Sequence, residues 1–540
     1  MDRRFFLQLS AWAAAASLAG FSCSAVRKPK DEAGGYDAIV VGAGLGGLTC
    51  GAYMARNGLK PLVLEQYGVP GGYATSFARI VGPREFTCEV SLHSSVLSSP
   101  SARQMLEDTG VWDKLALVEH PHAWVSRFPD FSIEVPAKCG LDGFERQLAG
   151  LFPQEAGGLK DYFDMWRKTM AELAQLDKGV SGIKKAAFPA VFPTLWAIRD
   201  KSVGRLVDSH IQDPRLKAVL TQSCGYYGLP PSRLSAFYYL APTGEYLESG
   251  GNYLKGTSQA LSDALAASIT QAGGEILFNT QVEAIILENG RAAGVRAAGG
   301  KEFRARAVVC NSAAPKLFHG LLPAGALGPA QMSKLDSYEA SPGSFIVWLG
   351  LNQDVRDRFP LPDASFYAQT DMEANYRAAM DCDFEHSGFA LMFYDNLVDG
   401  FSPKGCSSLS LMSLSGYEHW KPFEADYLAG RKDAYYKEKE RLTQMIIDMA
   451  EKRAIPGLSK MIVMRDSATP LTNLRFTLNP GGAIYGYNQT VDNSFMSRLP
   501  NTTGVKGLYL ASAWGNPGGG FTGAMMGGKG AFRDVLESRG

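Results

Sequence analysis

The chain has 540 residues, 54 of them basic and 54 acidic, for a formal net charge of zero. At ~150 residues per domain that length gives two to four domains with ample core, and the balanced charge excludes a protein that binds nucleic acid by tracking its phosphates. Eight scattered cysteines show no CxxC pair and no metal-ligand spacing, so neither a disulfide framework nor a metal site is expected, and Cys50 and Cys310 read as small buried hydrophobes.

Residues 1–25 read MDRRFFLQLSAWAAAASLAGFSCSA. A positive start, an apolar alanine-rich middle and a small-residue end are the parts of an export signal. The apolar stretch Phe5 to Phe21 is short for a span of ~20 residues, and an N-terminal anchor helix is the other reading. Arg3-Arg4 followed by Phe5-Phe6-Leu7-Gln8 resembles a twin-arginine signal. That resemblance implies the twin-arginine export machinery as a partner, a periplasmic location, and export of a folded protein with its cofactor inserted. Lipid attachment at Cys23 and cleavage after Ala25 both remain open, and residues 26–35 form a polar linker.

From Tyr36 the sequence runs YDAIVVGAGLGGLTCGAYMARNGLKPLVLEQYGVPGG. Asp37 to Val41 is a β-branched run suited to a buried parallel strand. Gly42, Ala43, Gly44 and Gly47 follow as a GxGxxG turn, then a helix to Arg56 stopped by Asn57-Gly58, then a strand Pro61 to Leu64 ending at Glu65. The glycines allow a tight turn, backbone approach to a pyrophosphate and close helix–strand packing; the helix N-terminus favours phosphate, and Glu65 can bind ribose hydroxyls. Gly71-Gly72 follow six residues after Glu65. A second glycine pair at this place resembles the extended FAD fingerprint of the glutathione-reductase-like flavoproteins. Those proteins often carry a basic residue next; here Tyr73 stands there, leaving phosphate contact to Thr75, Ser76 or Arg79.

Further along, Thr257 to Ala272 has Leu261, Leu265 and Ile269 at helical spacing and ends at Gly273-Gly274. Glu275 to Asn279 and Val282 to Leu287 read as a β pair, with a turn at Glu288-Asn289-Gly290. Ala307 to Cys310 is another strand, closing at Asn311. No second strand–GxGxxG–helix unit occurs, so no dedicated NAD(P)H domain is expected. The end of the chain, LYLASAWGNPGGGFTGAMMGGKGAFRDVLE, puts a strand (Leu508 to Ala511), a glycine cluster and a helix from about Thr522 in succession.

Together with FTCEVSLHSS (Phe86 to Ser95) and TPLTNLRFTLNPGGAIYGYNQT (Thr469 to Thr490), these segments resemble the phytoene desaturase, carotenoid isomerase and retinol saturase-like flavoproteins. The resemblance implies an α/β fold: a Rossmann-type FAD-binding domain of the glutathione-reductase kind, built from residues 36–100, 236–329 and 469–540. An α+β substrate domain would take 101–235, largely helical, and 330–468. It implies FAD as cofactor, with Val282 at the adenine through its backbone, and Gly519, Gly520, Phe521 and Thr522 at the flavin ring. It also places His93 near the flavin's catalytic face, where a neutral-range pKa suits proton transfer; a structural histidine is the alternative. Tyr485 and Tyr487 either line a channel and stack on a polyene or pack the core. Arg475 is either an ion-pair residue or a flavin-edge residue.

The segment Ala186 to Ile198, AAFPAVFPTLWAI, sits between Lys184-Lys185 and Arg199. It is too short to span a bilayer; it either dips into a membrane surface or faces the core. The expected function is an exported FAD-dependent oxidoreductase moving a hydride between flavin and C–C or C=C bonds of an apolar, isoprenoid-like substrate. Its electron donor or acceptor is not named by any residue. An amine oxidase on the same fold and a flavin-binding partner protein without turnover are the rivals. The ending AWGNPGGG matches the amine oxidase pattern poorly.

Overall fold

The structure, a computed structural model, describes residues 35–177 and 187–539. The export signal with Arg3, Arg4 and Cys23, nearly all of the linker, and Lys184-Lys185 lie outside the described residues. Among the described residues two seven-stranded sheets form. At the centre of the first is Tyr36–Val41, paired in parallel with Pro61–Leu64 on one side and Glu302–Cys310 on the other. Glu275–Leu277 extends one side, and Leu508–Leu510, near the far end of the chain, pairs in parallel with Val308 to Cys310.

Side chains alternate along a strand, and both faces of this sheet are covered. Ala38 and Val40 pack with residues of the helices Leu45–Arg56, Thr257–Gln271 and Phe521–Glu537. Ile39 and Val41 pack with the strands Val282–Glu288 and Arg291–Ala297 and with Leu317 and Leu335. Burial on both faces is why the first strand reads as an unbroken apolar run rather than an alternating one. The expected β pair is re-partnered: Glu275–Leu277 joins Pro61–Leu64, and Val282–Glu288 instead forms a hairpin with Arg291–Ala297. Asn289 and Gly290 at its turn both have positive φ, 49° and 73°, the backbone that tight two-residue hairpins demand.

The second sheet runs in the order Ile462–Ala468, Gly343–Leu351, Ser407–Ser415, Gly388–Met392, Asp363–Tyr367, His122–Arg127, Ser132–Pro136. Helix Asp433–Arg453 covers one face through Leu442, Ile446 and Ile447. A helical layer stands beside it. Three seams depart from the expected boundaries. Helix Pro100–Asp108 packs on the nucleotide side through Ala102, Met105 and Leu106. Helix Ala236–Ser249 packs into the helical layer through Phe237, Leu240 and Leu247. Helix Pro329–Asp336 lays Leu335 beneath the first sheet. Helical periodicity shows that each has an apolar face, but not which core receives it. The segment 101–235 also carries two strands of the second sheet. Its apolar stretch is core-facing: Phe188, Phe192, Leu195 and Ile198 are each 1% exposed or less.

The last helix, Phe521–Glu537, lies directly on the first of the described helices, Leu45–Arg56. A Cβ on Gly528 would sit 2.2 Å from the Gly46 carbonyl oxygen, and one on Gly46 would sit 1.8 Å from the Ala511 oxygen. Backbone cannot yield as a flexible side chain does, so Gly528→Ala is expected to cost about 1–3 kcal/mol through overpacking. Thermal unfolding measures this; an unchanged midpoint with normal flavin content would contradict the close contact.

Candidate functional site

Where the two sheets and the helical layer meet there is a cavity of about 1160 Å³, above the ~300–1,000 Å³ of ordinary small-molecule sites. One end is built on the first glycine cluster. Gly42, Gly44, Leu45 and Gly46 line it, with Glu65, Gly71, Gly72 and Val282. The first N–H groups of a helix have no partner within the helix, and the start of Leu45–Arg56 thus presents donors and a positive dipole end here. Glu65 follows its strand at the position expected for a ribose contact, and its carboxylate braces the glycine turn. Oε2 accepts the Ala43 N–H at 2.7 Å and Oε1 accepts the Tyr67 N–H at 2.8 Å; burial raises its pKa, and these bonds oppose the rise. Ala43 and Gly47 lie behind the lining. The Ala43 carbonyl accepts the Gly71 N–H at 2.8 Å, so the two glycine clusters bracket one another.

The residues after Gly72 are occupied with the protein itself. Tyr73 Oη donates to the Ala483 carbonyl at 3.1 Å. The hydroxyl of Thr75 bonds Gln259 Oε1 at 2.6 Å, and that of Ser76 bonds Thr257 Oγ1 at 2.7 Å. Arg79 pairs with Asp466 at 2.6 Å on the surface. Each of these groups already has a partner in the protein, whereas the main-chain donors at the start of helix Leu45–Arg56 have none within the helix and would be the ones to hold the phosphates of bound FAD.

The other end is the start of the last helix, where Gly519, Gly520, Phe521 and Thr522 line the cavity. Gly520 has φ +79° and nothing within 4 Å of a notional Cβ. Gly519 answers to the chain's own backbone, since a Cβ there would lie 2.8 Å from the Tyr485 oxygen. Thr522 Oγ1 is buried and has no hydrogen-bond partner in the protein. The loop before this helix is held by Arg498, which sequence reading missed: a lone arginine in a loop carries no pattern. It is 1% exposed and donates to the carbonyls of Gly515 at 3.0 Å, Tyr487 at 2.9 Å and Ala513 at 2.9 Å. Burial lowers its pKa to about 10, which still leaves it charged at neutral pH.

His93 and Tyr485 both line the cavity. His93 is 9% exposed, and its Nδ1 shares a hydrogen bond with Tyr394 Oη at 2.8 Å. Burial lowers its pKa from 6.5 to about 4, with Asp363 opposing, so the imidazolium that proton transfer would start from is scarce at neutral pH. Tyr485 is half-buried, and burial pushes its phenol well above 10. Tyr487 belongs to the core, edge-on to Trp514 at 4.8 Å. Arg475 is exposed at the cavity mouth, over the Phe476 ring at 5.4 Å.

Helix N-terminal donors and a strand-end carboxylate at one end, with an open glycine and an unpartnered hydroxyl at the other, fit FAD. The fold and site thus define a flavoprotein oxidoreductase. The chain belongs to the flavin-containing amine oxidoreductase family, whose family model matches residues 45–536, and FAD is its cofactor. Prolycopene isomerase of Daucus carota is 27% identical over 515 residues, covering 91% of this chain and 79% of that protein. The neurosporene-forming phytoene desaturase of Rhodobacter capsulatus is 26% identical over 509 residues, covering 91% and 92%. The solved structure of cyclohexylamine oxidase from Brevibacterium oxydans shares the fold, with a TM-score of 0.58 at 15% identity over 93% of this chain and 99% of that one. The protein is an FAD-dependent oxidoreductase of the phytoene desaturase, carotene isomerase and retinol reductase kind.

The low pKa of His93 gives a pH signature. Between pH 6.5 and about 4 the unfolded chain binds a proton at this residue that the folded chain does not, so stability is full above 6.5 and is lost as pH falls toward 4. His93→Gln is expected to remove that part of the acid sensitivity, on the order of 3 kcal/mol. Urea unfolding at pH 7 and pH 4.5 measures it; an equal loss in both proteins would contradict a buried neutral His93.

Proposed function

We propose that this enzyme moves a hydride between FAD and a C–C or C=C bond of an apolar, isoprenoid- or carotenoid-like substrate. The observation that carries this reading is the cavity wall beside the last helix, made of Met170, Leu173, Phe237, Tyr238, Ala241 and Tyr485. Such a wall takes apolar surface out of water, and that transfer supplies most of the binding energy for a hydrocarbon chain. FAD, when bound, supplies the hydride chemistry itself. The chain's share is to exclude water, to hold the substrate against the ring position with aromatic faces, and to present the positive end of helix Phe521–Glu537 toward negative charge.

An apolar substrate also needs a route in. Tyr67, Val69, Tyr436 and Phe476 line the cavity and are 53%, 42%, 52% and 47% exposed. Ile80 and Val81, at the tip of the hairpin formed by Ser76–Val81 and Arg84–Glu89, add further exposed apolar surface. With Arg475 beside them, these residues form the lipid-facing mouth in this reading, in place of the buried segment around Phe192. Among the described residues no helix is long and apolar enough to cross a membrane. The protein acts on the periplasmic side after twin-arginine export, with Cys23 a candidate lipid anchor. Replacing Arg3-Arg4 by Lys-Lys is expected to strand it in the cytoplasm, as cell fractionation would show; continued export would refute that route.

The family's name and the shared fold of cyclohexylamine oxidase favour a second reading, oxidation of an amine. An anaerobic absorbance titration separates the two. Bleaching of the oxidised flavin by a polyene, or rapid reoxidation of the reduced flavin by one, is the expected result. Bleaching by amines alone would establish the second reading and overturn the first.

A further inference from the structure

Behind the wall that carries His93 lies a second, smaller chamber of about 260 Å³. His93, Ser94, Tyr226, Tyr246 and Tyr485 line both spaces and separate them. The partition is tied together: Tyr226 Oη and Tyr246 Oη lie 2.9 Å apart, and each is 2.9 Å from the Ser94 carbonyl. The far wall comes from different elements. Gln222 and Asn375, 3% and 6% exposed, stand in it together with Trp124, Asp363, Phe366 and Phe389.

Three polar atoms in that wall have no partner within the protein, Trp124 Nε1, Gln222 Nε2 and Asn375 Oδ1. The Ser126 hydroxyl engages the other atom of the Gln222 amide, so one amide atom stays free whichever way the group is turned. Asn375 Nδ2 is already spent on the Gln369 carbonyl at 2.8 Å. Buried polar groups are almost always paired, because leaving one unmade is costly. Trp124 Nε1 is a donor, Asn375 Oδ1 an acceptor and the free Gln222 amide atom one or the other; in a mainly apolar chamber that set matches a hydroxyl, which both accepts and donates. The Asp363 carboxyl group in the same wall, bonded to His120 Nδ1 at 2.9 Å, opposes an anionic end.

We propose that this chamber seats a neutral, hydroxyl-bearing end group of the substrate, with Gln222 and Asn375 as the residues that select it. The assignment rests on the polyene reading for what fills the first cavity. The hydrocarbon chain lies there, and its oxygenated end passes the tyrosine partition.

The test uses the purified holoenzyme and two pairs of ligands that differ by one terminal hydroxyl. One pair is a long polyene and its alcohol; the other is a ten-carbon cyclic hydrocarbon and its alcohol, small enough for the chamber alone. Dissociation constants are read from quenching of tryptophan fluorescence, Trp124 being in the wall. The alcohol of each pair is expected to bind about tenfold tighter. The double variant Q222L/N375L is expected to lose that preference while holding the hydrocarbon within twofold and keeping its flavin. Equal affinities in the wild type would mean that water completes the two amides, and would overturn the proposal; so would a preference that survives in the double variant. If that variant loses its flavin, the wild-type pairs alone decide. A preference confined to the ten-carbon pair, with polyenes that neither bind nor bleach the flavin, would sink the polyene reading and leave the hydroxyl seat standing.

Discussion

Backbone contact between the first and last helices is the constraint on which the rest of the molecule depends. Gly46 lies against the Ala511 carbonyl and Gly528 against the Gly46 carbonyl, at distances that leave no room for a Cβ. Because the helices touch there, Leu508–Leu510 can complete the sheet begun by Tyr36–Val41. The loop that follows is then carried across the cavity to Gly520. Both helix N-termini thereby line a single space, one able to offer donors to the phosphates of bound FAD and the other a positive end to its ring. Side chains at the contact would push the helices apart and separate the two halves of the cofactor site.

Around that contact, buried polar groups do the positioning. Arg498 gathers three carbonyls of the loops that shape the ring end. Glu89, fully buried, does the same on the substrate side. Its carboxylate accepts the Ser258 N–H at 2.9 Å, the Ser258 hydroxyl at 2.6 Å and the Tyr253 hydroxyl at 2.8 Å. Those bonds hold it at the N-terminus of helix Thr257–Gln271, where an acidic group is favoured. Trp348, from the second sheet, donates Nε1–H to the Glu89 carbonyl at 2.6 Å. One residue thus ties the nucleotide side to the substrate sheet. Burial raises the Glu89 pKa and the hydrogen bonds work against the rise.

The substrate side combines an apolar interior with few free charges. His93 is neutral because it is buried, and the tyrosines beside it are held far from ionisation. Such a wall suits chemistry in which the cofactor carries the electrons and the protein supplies shape and dryness. It also explains why catalytic residues are hard to read in this chain: few strong acids or bases are arranged for the task, and the side chains that matter do so by where they stand.

The sequence by itself determined the nucleotide half. Strand, glycine turn, helix, strand and terminal carboxylate fall within thirty residues of Tyr36, and their periodicities are local, set by neighbours two, three or four positions away. Asn57-Gly58 ends the first helix, and Leu261, Leu265 and Ile269 mark the buried face of Thr257–Gln271, as the pattern required. The tertiary structure alone decided what those elements meet. Helix Ala236–Ser249 carries an apolar face that either core would accept, and the helical layer received it. Gly519 resembles a cofactor glycine in the sequence, yet it and Gly528 are small because Tyr485 and Gly46 press on them from distant parts of the chain. Phe188 and Phe192, flanked by charges like a membrane loop, are core side chains. Arg498, the tyrosine partition and the chamber behind it belong to no local pattern. They exist only where loops separated by hundreds of residues converge, and period and spacing along a chain carry no record of such meetings.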